Sequence, residues 1–309
     1  MKRFKNILFF ADRVEGLEAA LNKAVALSQS NEARLTVMDV TPEAGLADIV
    51  ELTYSVDINK QLREQRLQEL EALTSQFTDN NIPVFTKVVS GTPFIEIIRA
   101  VQRNEYDLLI KLAQPNPGFA PWLFGSTDMH LLRKCPCPVW IMREQNTLAY
   151  KRILAAVDPF DDTSLGLPQL ILDLATSLAR QEHAELEVVH AWELLGESML
   201  THGRARMPQE ELELLLEQTE KRHQGDFESL LKPYASSISP ANVSLIKGRP
   251  SEIISKLADK INVDLIIMGT VGRIGIPGMF IGNTAEDVLR STRASVLAVK
   301  PAGFVSPVS

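Results

Sequence analysis

The sequence predicts an α/β protein: two tandem doubly wound domains, each built on an open parallel five-stranded sheet. Three observations carry this. The chain repeats itself at long period, strand and helix signals alternate within each copy, and the strand signals are continuous apolar runs such as Leu265-Ile266-Ile267-Met268. Runs of that kind suit strands covered on both faces, as parallel sheets require.

The repeat shows without gaps. Residues 107–143 and 264–300 share nine of 37 positions, with Asp107 on Asp264, Gly125 on Gly282, Thr127 on Thr284 and Arg133 on Arg290. Gly91-Thr92-Pro93 falls on Gly248-Arg249-Pro250 at the same offset of 157 residues. The first strands match at an offset of 146: Asn6-Ile7-Leu8-Phe9-Phe10-Ala11-Asp12 on Arg152-Ile153-Leu154-Ala155-Ala156-Val157-Asp158. The 11-residue difference is expected in the middle of the second copy, around Trp192 to Glu211. So long a period means two domains, 1–146 and 150–302, rather than a solenoid. The boundary falls in the short polar stretch Gln145–Tyr150.

In the first copy Ile7–Ala11 is a strand ended by Asp12. Gly16–Asn31 carries Leu17, Leu21, Ala24, Val25 and Leu27 at helical spacing. Arg34–Val40 is the next strand. Lys60–Asn80 places Leu62, Leu67, Leu70, Leu73 and Phe77 on one face, which makes an amphipathic helix. Strand Pro83–Val89, helix Pro93–Arg103, strand Asp107–Leu112, helix Ser126–Arg133 and strand Val139–Arg143 complete the copy. The second copy repeats the plan, with strands near 152–157, 185–191, 242–247, 264–269 and 295–300. Right-handed crossovers then wind each sheet, and ligands of such sheets sit beyond the carboxyl ends of the strands. Asp12, Leu112, Asp158 and Gly269 lie at those ends.

Composition excludes several functions. A net charge of −7, with no basic run longer than two or three residues, argues against a nucleic-acid partner. No stretch approaches the roughly 18–20 apolar residues of a membrane span, and the N-terminus has no signal-peptide core. A cytoplasmic location is expected. Cys135 and Cys137 lie one residue apart with no companion ligands, and read as small residues entering a buried strand. No Ser-His-Asp set, paired carboxylates or Walker loop stands out.

The second copy carries Gly269-Thr270-Val271-Gly272, nine further residues, then Gly282-Asn283-Thr284-Ala285 at the start of a helix. Glycines there allow close approach of a ligand to backbone, and a helix N-terminus is an anion site; the same residues also suit plain turn chemistry. The spacing resembles the nucleotide motif of the universal stress protein family, G-2x-G-9x-G-[ST]. The strand-end Asp, the G-x-P before the third helix and the D-L-I-I strand are shared too, so the resemblance covers nearly the whole chain.

That resemblance implies an adenine-nucleotide-α-hydrolase-like fold. It also implies candidate ligand contacts in the second domain: Asp158 facing adenine, Val189 walling the base, and Gly269, Gly272, Gly282, Asn283 and Thr284 along the phosphates. ATP with Mg is the implied cofactor. Asp158 also suits capping of the following turn. Asn283 departs from the family's Ser or Thr. In the first domain only Gly125-Ser126-Thr127 survives of the motif. Leu112 and Pro115 replace its first glycines, and Pro115, Pro117 and Pro121 remove N–H donors. This domain is expected to hold a degenerate pocket of Asp12, Lys111, Gly125, Ser126 and Thr127. Lys111 either pairs there with Asp12 or another acid, or reaches solvent.

The resemblance implies that the two halves pair through their last strands, Val139–Met142 against Val296–Val299, as an intramolecular pseudo-dimer. The whole reads as a non-enzymatic stress-response protein that binds a small ligand or partner. The alternative is an ATP-binding switch using the second domain only, with slow hydrolysis at most. His190 reads as a strand-end packing or hydrogen-bonding group, while His130, His183, His202 and His223 show no ligand spacing. The Leu-rich stretch 192–231 reads as core or interface packing, or else as a chamber for an apolar small ligand or a partner surface. A homodimer of whole chains is a further partner expectation.

Overall fold

A computed structural model describes residues 3–12, 16–42, 57–77, 82–114, 124–146, 149–160, 166–194, 196–202, 207–270 and 282–308. Gly272, Pro115, Pro117, Pro121 and Leu195 lie outside the described residues.

In the first half, strands β1 (Asn6–Phe10), β2 (Arg34–Thr41), β3 (Val84–Ser90), β4 (Leu108–Leu112) and β5 (Val139–Met142) alternate with helices α1 (Glu18–Asn31), α2 (Ile58–Ser75), α3 (Pro93–Asn104) and α4 (Ser126–Lys134). The second half has β6 (Arg152–Ala156), β7 (Glu185–Trp192), β8 (Val243–Lys247), β9 (Leu265–Gly269) and β10 (Ser295–Val299). Its helices are α5 (Leu167–Glu182), α6 (Glu197–His202), α7 (Gln209–Leu231), α8 (Pro250–Lys260) and α9 (Asn283–Ser291).

The strands form one ten-stranded sheet in the order β3-β2-β1-β4-β5-β10-β9-β6-β7-β8. Each half is parallel throughout, and the halves join antiparallel through their last strands, Ala298 opposite Val139, Leu297 opposite Trp140 and Val296 opposite Ile141. Alternate residues of β1 feed two separate cores. Ile7 and Phe9 pack on the face of α1 and α5, whereas Leu8 and Phe10 pack on the face of α3, α4, α8 and α9. The central strands β1, β4, β5 and β10 are almost wholly buried, which explains why they read as largely apolar runs, with Lys111 as the charged exception in β4.

Local signals set the helix ends. Pro93 and Pro250 stand in the first turn of α3 and α8, where a missing N–H is harmless. Gly91 and Gly248 precede them at φ of 143° and 147°, which L side chains rarely adopt. The carboxylate of Asp57 caps α2 by accepting from the N–H of Lys60 at 2.7 Å.

The extra length of the second half is split, and only part of it lies around 192–211, where the sequence places it. Paired residues of the first two strands are 28 positions apart in the first half (Asn6, Arg34) and 33 in the second (Arg152, Glu185). Five of the additional residues therefore precede β7. The remainder follows β7, where α6 sits.

Side chains cross the seam reciprocally. Lys300, after β10, donates to the carbonyls of Leu132 at 2.7 Å and Arg133 at 3.4 Å, at the C-terminus of α4. Arg143, after β5, donates to the carbonyl of Thr292 at 3.3 Å, at the C-terminus of α9. A cation at each helix C-terminus complements the helix dipole. Burial lowers Lys300 to about 7 and Arg143 to about 10. Arg133 pairs with Glu286 at 2.7 Å, and Lys23 of α1 pairs with Glu182 of α5 at 2.6 Å.

Cys135 and Cys137 are both buried, with Sγ atoms 3.6 Å apart, and burial pushes the Cys137 thiol well above its usual value. Among the described residues no helix is long and apolar enough to cross a membrane, and no group of three or more His, Cys, Asp or Glu could hold a metal.

Candidate functional site: one open cavity and one filled

Beyond the carboxyl ends of β6, β7 and β9 lies a cavity of about 380 Å³. Asp158, Val189, Gly269, Gly282, Asn283 and Thr284 all line it. They arrive from four places in the fold. Asp158 follows β6, Val189 is in β7, Gly269 ends β9, and Gly282-Asn283-Thr284 opens α9. The remaining wall is mostly apolar, including Leu167, Ile171, Trp192, Ile254 and Met268, with Glu193 and His223 as further polar groups.

Backbone chemistry prepares this cavity for an anion. Gly282 is the N-cap of α9 and no side chain caps that helix. The first N–H groups of a helix have no intrahelical acceptor, so those of Asn283, Thr284 and Ala285 suit negative charge. A Cβ on Gly269 would stand 2.8 Å from Cδ2 of Leu167, so a side chain there would push Leu167 out of place. Asp158 caps its own turn, Oδ1 accepting from the N–H of Phe160 at 3.2 Å, while also lining the cavity. The indole Nε1–H of Trp192 is buried and has no hydrogen-bond partner among the described residues, in the wall of the site.

The same place in the first half holds charges of the protein's own. Lys111 is the counterpart of Met268, and it is fully buried. Its Nζ donates to Oδ1 of Asp128 at 2.5 Å and to the carbonyl of Leu112 at 2.9 Å, and lies 3.4 Å from the carboxylate of Asp12. Asp128, also fully buried, occupies the third position of α4 and accepts from the N–H groups of Gln114 at 3.1 Å and Gly125 at 3.3 Å. Its counterpart in α9 is Ala285, which lines the open cavity. Lys111 thus does not reach solvent, and its principal acid is Asp128 rather than Asp12. Ser126 and Thr127 stand at the start of the same helix.

A second pair of substitutions distinguishes the halves. In the first, Arg66 of α2 donates to Asp39 of β2 at 2.5 Å and to the carbonyl of Ala11 at 2.9 Å. In the second, His223 of α7 meets His190 of β7, Nδ1 to Nε2, at 2.8 Å, and Nδ1 of His190 lies 3.1 Å from the carbonyl of Val157. Ala11 and Val157 are the residues just before Asp12 and Asp158. An ion pair therefore braces the strand end in one half, and a histidine pair in the other. His223 stacks on Trp192, with ring centroids 5.1 Å apart, and lines the cavity. His223 is a helix residue of α7, and its pairing with His190 joins two histidines that show no ligand spacing in the sequence.

In α7 Leu212, Phe227 and Leu230 are buried, Leu214 is exposed, and Trp192 at the end of β7 walls the cavity.

The fold and the glycine frame define a class, and comparison with known proteins agrees. The universal stress protein family model matches residues 3–143 and again 149–300. The chain belongs to the universal stress protein family, with two tandem copies of its domain. It is similar to universal stress protein E of Escherichia coli K12, 27% identical over 319 aligned residues that cover 100% of this chain and 98% of that protein. A universal stress protein E homolog of Haemophilus influenzae is 25% identical, with 97% of this chain and 98% of that one covered. Among solved structures, a functionally unknown protein of Pseudomonas aeruginosa PAO1 superposes with a TM-score of 0.74 at 23% identity, covering 98% of this chain and 95% of that one. A universal stress protein of Archaeoglobus fulgidus gives 0.65 at 19% identity, covering 96% and 98%. These two similarities speak for the fold.

Proposed function

We propose that this chain is a stress-response module in which the two halves act as an intramolecular pseudo-dimer, and only the second half binds a small ligand. The observation that carries the reading is the asymmetry between equivalent places. Met268 and Ala285 leave a cavity of about 380 Å³ in the second half, where Lys111 and Asp128 form a buried ion pair in the first. A volume of that order suits a small molecule.

An adenine nucleotide is the ligand that the family resemblance and the donor set favour. Asp158 and Val189 would hold the base, and the backbone around Gly269 and the start of α9 would face the phosphates. The donors Trp192 Nε1–H, Asn283 and Thr284 add polar contacts that a nucleotide could satisfy. The titratable side chains of the described lining are Asp158, Glu193 and His223, and the role proposed for the site is binding. Bound nucleotide would supply negative charge at the N-terminus of α9, where the helix dipole favours it.

Amide spectra of the full chain, titrated with Mg-ATP and separately with cyclic AMP, test this. The expected result is shifts confined to residues around Asp158, Val189, Gly269 and Gly282–Ala285, with Gly125–Asp128 unmoved. Shifts at the first-half residues, or none in either half, would contradict it.

A further inference from the structure

Lys300 follows β10 directly, and its ammonium is buried, with 4% of the residue exposed. An ammonium has three donors and no acceptor, so burial requires oxygens around it. Two come from the first half, the carbonyls of Leu132 at 2.7 Å and Arg133 at 3.4 Å, at the C-terminus of α4. The third is Oγ1 of Thr270 at 2.5 Å, just beyond β9 in the second half. The ring of Phe304 faces the same nitrogen, with its centroid 4.8 Å away.

Thr270 is fully buried and held on its other sides as well. Its N–H donates to the carbonyl of Val299 at 3.2 Å, and its carbonyl accepts from the N–H of Gly282 at 2.9 Å. Gly282 is the N-cap of α9, the helix that opens at the second-half cavity. A line of hydrogen bonds therefore runs from α4 of the first half through Lys300 and Thr270 to the start of α9. The first half is built differently at each step. Ala113 stands in the place of Thr270 and has no hydroxyl, though its N–H still donates to the carbonyl of Met142 at 2.7 Å. The N–H of Gly125, in the place of Gly282, donates to Asp128. Arg143, in the place of Lys300, donates to the carbonyl of Thr292 and lies 4.0 Å over the ring of Phe124. Among the described residues, the tie from seam to helix start exists in the half whose cavity is open.

We propose that Lys300 is a positioning residue of the second-half ligand site, setting the start of α9 through Thr270 and so making the first half part of that site. This rests on the reading of the second-half cavity as a ligand site. Donors fixed before a ligand arrives bind it more tightly than donors the ligand must order. The ammonium holds Thr270 against two carbonyls of the other half, so the N–H groups of Asn283, Thr284 and Ala285 keep one position relative to Gly269. Removing one hydrogen bond to a charged group then weakens an anionic ligand by about tenfold.

Calorimetric titration of the full chain with Mg-ATP tests this at about pH 6, below the value of about 7 to which burial lowers Lys300, so that the amine is charged. Thr270→Val keeps the outline of the side chain and removes the acceptor, Thr270→Ser keeps the acceptor, and Lys300→Met removes the donor. The expected affinity is about tenfold weaker in Thr270→Val and in Lys300→Met, and near that of wild type in Thr270→Ser. The double variant Thr270→Val/Lys300→Met should bind no more weakly than the weaker single one, since both break the same contact. The Cε resonance of Lys300, identified by its absence in Lys300→Met, should move with Mg-ATP in wild type and move less in Thr270→Val. Equal affinity in wild type and Thr270→Val, or equal movement of that resonance, overturns the proposal and leaves the ligand site standing. The comparison decides it even if Lys300→Met does not fold. Losses that multiply in the double variant overturn it too, because Lys300 would then act by its charge rather than through Thr270. A wild type that binds no Mg-ATP refutes the ligand site and the proposal with it.

Discussion

Replacing Lys111 by Met, the residue at the equivalent place in the second half, isolates the charge that fills the first cavity. The variant leaves Asp128, fully buried, with only the N–H groups of Gln114 and Gly125 as partners. It also removes the cation 3.4 Å from Asp12, whose carboxylate has no hydrogen-bond partner among the described residues. Breaking a buried pair from one side costs about 3–5 kcal/mol, which for a domain of this size lowers the melting temperature by roughly 6–20 °C. Asp128→Ala does less harm, because Lys111 keeps Asp12 and the carbonyl of Leu112. Two N–H groups lose an acceptor there, at about 1–3 kcal/mol. The double variant Lys111→Met/Asp128→Ala should be more stable than the sum of the single effects implies, by about 0.5–3 kcal/mol. Scanning calorimetry of the four proteins measures all of this. Additive effects, or a loss under about 2 °C for Lys111→Met, would refute a buried ion pair as the filling of that cavity.

Three further outcomes follow from the seam and the cavity. Lys300 is held by burial at about 7, below its unfolded value, so between about 7 and the ordinary lysine range the unfolded chain binds more protons. Its contribution to stability therefore improves as pH rises through that window. Melting temperatures of wild type and Lys300→Met at pH 7 and 9 should differ more favourably for wild type at the higher value. Arg133→Ala removes a half-exposed pair with Glu286, which keeps Arg290 at 2.5 Å, so the loss should stay within about 1 kcal/mol by chemical denaturation. Gly269→Val should displace Leu167 and weaken nucleotide binding in calorimetric titration while the first-half residues keep their amide spectra.

Most of the fold was legible because burial on both faces leaves a direct mark in sequence. β4, β5, β9 and β10 read as apolar runs and lie at the centre of the sheet. The edge strands β3 and β8 are half-exposed, and they were recognisable mainly through the repeat. The antiparallel joining of Val139–Met142 to Val296–Val299 came from family resemblance, since backbone pairing across 150 or so residues leaves no local pattern. Placement of the extra residues went astray because the copies were matched at their ends, where offsets of 146 and 157 bracket an unseen step at β7.

The site was legible where it depends on glycine and illegible where it depends on side chains meeting in space. Gly269, Gly282 and the residues after it stand out by spacing. The partnership of Lys111 with Asp128, 17 residues away on another element, does not, although the change to Met268 and Ala285 in the other copy marks both positions. The histidine pair was missed for the same reason. His190 and His223 are 33 residues apart, and they match Asp39 and Arg66 only once the strand register is known.

The central claim is that one cavity is open because Met268 and Ala285 stand where the other has Lys111 and Asp128. Native mass spectrometry of the full chain with Mg-ATP tests it most directly, comparing wild type with Met268→Lys/Ala285→Asp, which transplants the ion pair. The account predicts a single nucleotide on wild type and none on the variant, with the variant folded by its circular dichroism. Equal nucleotide on both proteins, or a second nucleotide on wild type, would contradict it.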